Sequence, residues 1–476
     1  MRRRPHIVVV GIDTLRPDHL GCYGYRHPTS PGLDALAARS VVFDAFCAAG
    51  IPTTPAFTTL LTGLHPLVHQ VVTHPARHRM GGRIATLPQL AQEAGYHTAA
   101  CDNLVVQGSG RGSWFARGFE QYSGFVYTPF GDQSARITDA ALSLAADATD
   151  APGDDPLLLF VHYWDPHTPY GPRPPYDTLH YEPGSGPFDL TDVRALSPDY
   201  YDAFLADMKL RHPDDYAYVV AQYDGEISQV DAQVTRLVEG LTGLGLWDDT
   251  VFVVLSDHGE CFGEGDFHFD HHGLYDAVTR TVLMMRVPGL APGRRGALVS
   301  HEDLLPTLCD LGDIPLPAYP LTGTSLRSVL TDPAAPGREH VLTVESTRQA
   351  SVSVRTPDHK LIQPVTALAD GTPLPDFYGR PRRPDSSVFD LRADPGETRD
   401  LSGDGPELAE RLRGLLESER SRLLAYHGGP DPLLTQGLGL PFDRFLSRVL
   451  ARADVTAGAG PPRHCHHCHH CHHPRC

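Results

Sequence analysis

Three continuous apolar runs, rich in β-branched residues and without polar alternation, mark this chain, and each ends in carboxylates or imidazoles. "HIVVVGID" ends at Asp13, "PLLLFVHYWDPHTPY" runs into Asp165 and His167, and "DTVFVVLSDHGE" runs into Asp257 and His258. Such runs are what strands buried on both faces look like. Helical patterns lie between them, including "SPGLDALAARS", "TLPQLAQEAG" and "ISQVDAQVTRLVEGLTGLG". Alternating strands and helices predict an α/β fold, a mostly parallel sheet with helices on both faces. Ligands bind such sheets outside the carboxyl ends of the strands, so a single shared site at that edge is the economical expectation.

Near residue 345 the texture changes. "SVSVRTPDHKLI" and "SSVFDLRADPGETRDLS" read as short antiparallel strands, and "PELAERLRGLLESERSRLLAYH" as an amphipathic helix. The chain therefore divides into a catalytic domain over 1–344, a smaller C-terminal α+β subdomain over 345–454, and a disordered His/Cys-rich tail over 455–476.

Composition narrows the partners. With 41% apolar and 21% charged residues in 476, the chain has the balance of a soluble globular protein. A formal charge of −18 argues against nucleic acid or an anionic membrane, either of which would want a basic face. The apolar run after "MRRRPH" is too short for a secretory signal, and no stretch approaches the roughly 18 apolar residues of a membrane span. The expectation is a cytoplasmic protein. Five cysteines (Cys22, Cys47, Cys101, Cys261 and Cys309) lie scattered and are expected to be reduced. The other four sit in "CHHCHHCHHPRC", a tract that would bind zinc, nickel or copper as a flexible chelator, or is incidental.

Six motifs occur in order: "GIDTLRPDHLGCYG", "LLTGLHPLVHQV", "HYWDPHTPY", "SDHGECFGEGDFHFDHHGLYD", "EDLLPTLCDLGDIPLP" and "VFDLRADPGETRDL". On these the chain resembles the sulfatase branch of the alkaline phosphatase superfamily, which also holds phosphodiesterases and phosphonate monoester hydrolases. The resemblance implies an alkaline phosphatase-like fold and a divalent metal beside a nucleophile that attacks a sulfate or phosphate ester. It makes Asp13, Thr53, Asp257 and His258 the metal-site residues. Two carboxylates and an imidazole form an incomplete shell with room for nucleophile and substrate. Relatives with Asp-Asn in place of Asp257-His258 tend to suit calcium; the imidazole here favours zinc or manganese. Thr14 departs from the sulfatases proper, which usually carry a second Asp there.

The nucleophile position also departs. Sulfatases carry Cys-x-Pro-x-Arg ten residues before the Thr-Gly that closes this helix, and convert the cysteine to formylglycine. Here the stretch reads Thr53, Thr54, Pro55, Ala56, Phe57, so formylglycine cannot form at this site. Thr53 matches the threonine nucleophile of the superfamily's phosphodiesterases and pyrophosphatases. Proline favours the first helical position, which makes Thr54 the N-cap and leaves Thr53 free to face the metal. There the ion and the helix's positive end would favour its alkoxide. The alternative makes both threonines turn residues, with attack by a metal-bound hydroxide.

By the same resemblance His167 contacts the ester oxyanion or leaving group, or else ties down a proline-rich loop. His271 falls where many sulfatases place a leaving-group lysine, with His272 adjacent, and an imidazole there can act as general acid. Asp165, His167, His271 and His272 are the candidates for the second metal that some superfamily members hold. His268 and Asp270 read as loop residues. In "GYHTAACDNLVVQ" Asn103 replaces the substrate-binding lysine and Val105 the histidine, leaving a neutral amide toward the substrate. Arg111 or Arg117 could restore the charge, or be solvated loop residues.

These readings describe a metal-dependent hydrolase of phosphate or phosphonate esters, mono- or diesters of a small metabolite, using a threonine nucleophile. A threonine sulfate has no easy collapse, whereas phosphothreonine is open to water at phosphorus. The rivals are a sulfatase without formylglycine, a non-catalytic binding protein of the same fold, and a phosphoryl transferase.

Overall fold

The apolar run His6–Ile12 forms β1, and all seven of its residues are buried, as a strand covered on both faces requires. The computed structural model describes residues 4–102, 112–125, 133–150, 153–208, 210–212, 214–447 and 450. The next strands are β2 (Val41–Cys47), β3 (Gly50–Ile51), β4 (His97–Asp102), β5 (Gln121–Gly124), β6 (Leu157–Tyr163) and β7 (Thr250–Ser256). After them come β8 (Cys261–Phe262), β9 (His268–Asp270), β10 (Arg280–Thr281), β11 (Leu283–Arg286) and β12 (Gly293–Ser300). The last four are β13 (Val341–Ser346), β14 (Ala350–Arg355), β15 (His359–Pro364) and β16 (Ser387–Asp390).

Nine strands make the main sheet, in the order β10-β2-β11-β7-β1-β6-β4-β5 with β12 paired to β2. The centre is parallel: β1 pairs in parallel with β6 on one side and β7 on the other. Antiparallel pairing is confined to the contacts of β10 and β11. Side chains of β1 alternate between two cores, the period of two that a pleated strand imposes. Val8, Val10 and Ile12 pack with Ile137 and Ala141 of the helix Gln133–Asp150 and with Val230, Val234 and Leu237 of the helix Tyr216–Gly243. Ile7 and Val9 pack with Phe57 and Leu60 of the helix Thr53–Thr62 and with Leu304 and Leu308 of the helix Leu304–Gly312. The expected α/β fold is therefore present, with helices on both faces.

A second sheet has the order β16-β15-β14-β13-β3. The helix Pro406–His427 covers it, burying Leu412 and Leu416 with Val352, Val354 and Leu361. This sheet reaches back into the first half of the chain. β3, directly before Thr53, pairs in parallel with β13 through Gly50↔Val344 and Ile51↔Glu345. Among the described residues no helix is long and apolar enough to cross a membrane. The tail 455–476 lies outside the described residues.

Candidate active site

The parallel register brings the carboxylates together. Ile12 is opposite Tyr163 on one side and Ser256 on the other, so Asp13 and Asp257 leave adjacent strands at the same level. Asp13, Asp257 and His258 are all 0% exposed, and each offers a ligand atom within 4.8 Å of the others. His258 Nε2 lies 3.6 Å from Asp13 Oδ1 and 3.2 Å from Asp257 Oδ2. Both Asp13 carboxylate oxygens and Asp257 Oδ2 are buried without a hydrogen-bond partner. Buried carboxylate oxygens left bare are costly, and a divalent cation held by one oxygen of each carboxylate would relieve that cost, so the donor set fits a metal.

The surrounding bonds aim these atoms inward. Asp257 Oδ1 accepts from His258 N (2.9 Å) and Thr14 N (3.3 Å), which leaves Oδ2 for the centre. His258 Nδ1 donates to Gly259 O at 3.0 Å, so Nε2 is the free lone pair. Burial holds His258 far below its ordinary range and therefore neutral, as a ligand must be. Burial and the Asp13 charge push the Asp257 carboxyl well up, while Asp13 is held low, against burial, by His162 and His258.

Thr53 reaches the same point: its Oγ1 is 3.2 Å from His258 Nε2, and the residue is buried. The helix begins at Thr53 with Pro52 in the cap position, so Thr54 is not the N-cap and Pro55 is not the first helical residue. Ala56 N already donates to Pro52 O, and a proline is tolerated at the third position because the first N–H groups of a helix have no intrahelical partner. Thr54 Oγ1 instead pairs with His74 Nδ1 at 3.0 Å.

Two imidazoles of opposite character stand beside the cluster. His167 stacks on Trp164 with ring centres 4.4 Å apart and lies 4.8 Å from the His271 ring. Its Nδ1 donates to Thr168 O, and burial lowers it to about 4, so it is neutral. His271 stacks on His258 at 4.7 Å, and its Nδ1 lies 3.7 Å from Glu260 Oε1. Burial lowers its affinity for the proton, but Glu260 and Asp270 overcome this and raise it to about 8.

The second expected group is rearranged. Asp165 does not join His167, His271 and His272; its Oδ2 accepts from Gln229 Nε2 at 3.4 Å, toward the helix Tyr216–Gly243. Asp270 takes that place, with ligand atoms of Asp270, His271 and His272 within 4.8 Å. Neither Asp270 nor His268 is a loop residue, since both are buried in β9. Asp270 Oδ1 accepts from His271 N (2.8 Å), and Oδ2 takes Arg348 Nη2 (2.9 Å) and Tyr200 OH (3.0 Å). A carboxylate so committed to protein donors fits a cation less well than Asp13 does. His268 Nδ1 pairs with Tyr216 OH at 3.0 Å.

Asn103, Val105 and Arg111 lie outside the described residues. Arg117 is a loop tie, its guanidinium donating to Met80 O and Gly81 O at 3.2 and 3.3 Å. Sequence reasoning missed His162, whose Nε2 is 3.4 Å from Asp13 Oδ2 and whose Nδ1 is 2.9 Å from Asp102 Oδ1. Its one signal was a histidine inside an otherwise apolar run. Against burial, Asp102 and Asp13 raise it to about 10. Glu260, Glu345 and Arg348 were also missed; each faces a histidine or aspartate of the "FDHHG" segment.

Comparison with known proteins identifies the family. The Sulfatase family model matches residues 5–314, and the chain belongs to the sulfatase family. It is 25% identical over 364 residues to the uncharacterized sulfatase YidJ of Escherichia coli, covering 69% of this chain and 71% of that one. It is 27% identical over 448 residues to N-sulphoglucosamine sulphohydrolase of Homo sapiens, covering 83% and 85%. The crystal structure of the phosphonate monoester hydrolase of Agrobacterium radiobacter superposes with a TM-score of 0.68 at 22% identity, covering 89% of this chain and 96% of that one.

Proposed function

We propose that this sulfatase-family ester hydrolase acts on phosphate or phosphonate esters of a small metabolite, with Thr53 as nucleophile. The observation that carries the reading is Thr53 Oγ1 at a helix N-terminus, 3.2 Å from His258 Nε2, where no cysteine is available for formylglycine. Asp13, Asp257 and His258 would hold the cation, zinc or manganese being better suited than calcium to a set containing an imidazole. When bound, it supplies Lewis-acid polarisation of the ester and lowers the pKa of a coordinated hydroxyl.

The chain's own residues do the rest. Thr53 passes its hydroxyl proton to solvent, aided by the helix's positive end, and its Oγ forms a bond to phosphorus. The bond from phosphorus to the leaving oxygen breaks, and protonated His271 gives that oxygen its proton. Neutral His167 contacts a non-bridging ester oxygen. Water then attacks phosphorus and passes one proton to neutral His271, the bond from phosphorus to Thr53 Oγ breaks, and Oγ takes a proton back from solvent.

A second reading, hydrolysis of a sulfate ester without formylglycine, is favoured by the names of the two relatives given above, a sulfatase and a sulphohydrolase. The retained Asp13, Asp257 and His258 argue against a binding protein without catalysis, and a transferase to an acceptor alcohol would show acceptor-dependent product. The deciding experiment is turnover of p-nitrophenyl phosphate, a phosphodiester, a phosphonate monoester and a sulfate after reconstitution with zinc, manganese or calcium. Phosphorus-ester turnover supports the reading; sulfate turnover alone replaces it with the second; acceptor-dependent product indicates a transferase. No turnover of any ester in metal-loaded protein overturns it.

A further inference from the structure

We infer that His162, held by Asp102, is a positioning residue that fixes which oxygen of Asp13 meets the metal. This rests on the reading of Asp13 as a metal ligand.

Four neighbouring strands contribute one residue each to a row along the carboxyl edge of the sheet. Asp13 follows β1, His162 is in β6, Asp102 ends β4 and Tyr122 is in β5, and these strands are adjacent in that order. Tyr122 OH donates to Asp102 Oδ2 at 2.5 Å, and His162 Nδ1 donates to Asp102 Oδ1 at 2.9 Å. The other ring nitrogen, Nε2, stands 3.4 Å from Asp13 Oδ2. Asp13, Asp102 and His162 are all 0% exposed.

The walls of the ring are apolar. Phe57 meets it edge-on, with centres 4.7 Å apart at 76°, and Trp164 meets it at 6.2 Å and 80°. Gly11 lies opposite His162 in the strand register and makes this space. A Cβ there would come within 3.1 Å of Phe57 Cζ and 3.4 Å of His162 Cδ2. The imidazole is thus confined to one plane, with each nitrogen directed at a different carboxylate. A histidine serving the core alone needs a single acceptor; this one spans two, and one of them is the metal-site aspartate.

The consequence concerns Asp13. With Oδ2 facing His162, Oδ1 is the oxygen turned toward His258, 3.6 Å from Nε2. Among the described residues the ion pairs of Asp13 are with His162 and His258. His162 therefore aligns Asp13 to bind through Oδ1, in a site where position 57 carries phenylalanine and supplies no charge. Partners of this kind, one bond removed from a ligand, typically alter metal affinity by about 10–100-fold.

The test is metal affinity. Metal-free wild type, D13N, H162Q, D102N and the double variant H162Q/D102N are titrated with Zn²⁺ and Mn²⁺ against a competing chromogenic chelator. Thermal unfolding of each metal-free protein checks folding. H162Q and D102N are expected to weaken binding by about 10–100-fold. The double variant should match H162Q within two-fold, because Asp102 acts through His162. Phe57→Leu, which loosens the ring without touching its contacts to Asp102 and Asp13, should bind nearly as wild type. If D13N binds as tightly as wild type, the metal reading itself fails. If D13N loses metal while folded H162Q or D102N keeps wild-type affinity, the inference about His162 fails alone. Should H162Q not fold, D102N, which keeps the shape of the side chain, decides the matter by the same criterion.

Discussion

Thr53 Oγ1 and His258 Nε2 lie 3.2 Å apart, so the hydroxyl at the start of a helix and an imidazole at the end of β7 converge on one point. The convergence has a direct consequence for activity. Thr53→Ala should lower kcat toward phosphorus esters by at least on the order of 10³-fold. Thr53→Ser, which keeps the hydroxyl, should retain most of it. Metal content measured by elemental analysis should stay near wild type in both. An active Thr53→Ala would transfer the attack to a metal-bound hydroxide.

Thr54 should behave differently from its neighbour. Its hydroxyl pairs with His74 Nδ1 at 3.0 Å, whereas that of Thr53 meets His258 Nε2. Thr54→Val is expected to cost about 1 kcal/mol of stability by urea unfolding, the worth of an ordinary hydrogen bond. Its kcat should change by less than about three-fold, just under half the ~1.4 kcal/mol that a ten-fold rate change represents. A loss as deep as that of Thr53→Ala would reverse the assignment of the two threonines.

The pH profile should carry the signature of His271. A proton donor works only while protonated, and Glu260 and Asp270 hold His271, against burial, at about 8. The donor form is therefore nearly complete below that value and is lost as pH rises through it, so kcat should fall on the alkaline side with unit slope. Glu260→Gln removes a charge that favours the imidazolium and should move the alkaline limb to lower pH. A profile flat across that range would exclude His271 as the acid.

Arg348 should matter to stability and to the "FDHHG" segment alike. Asp270 is held at about 2, against burial, by Arg348 and then by His272 and His271. A carboxyl depressed in the folded state stabilises it above the unfolded value, and that contribution is lost as pH falls toward the folded value. Arg348→Met leaves the buried carboxylate without its cation and should cost about 3–5 kcal/mol near neutral pH. The difference in thermal midpoint between the two proteins should narrow in acid. An unchanged midpoint at neutral pH would mean that Tyr200 and the backbone suffice to hold Asp270.

The sequence by itself determined the α/β architecture and the principal cluster. Strands buried on both faces must read as unbroken apolar runs, and Asp13, Asp257 and His258 follow two of these runs directly. Once the strands are parallel neighbours, the residues just beyond their ends have nowhere else to be. The same local logic failed for Asp165, which also follows such a run but turns toward Gln229 after Trp164. It failed for Thr54, because the helix starts at Thr53.

What only the tertiary structure decided were contacts between segments far apart in the chain. Pairing of β13 with β3 and the turn after β13 bring Glu345 and Arg348 against His272 and Asp270. The strand order β1-β6-β4 sets His162 between Asp13 and Asp102. Local spacing sets the period of a helix or strand and the residue at its end. Which strand lies beside which follows from burying apolar faces across the whole chain, and the partners of each buried charge are chosen at that level.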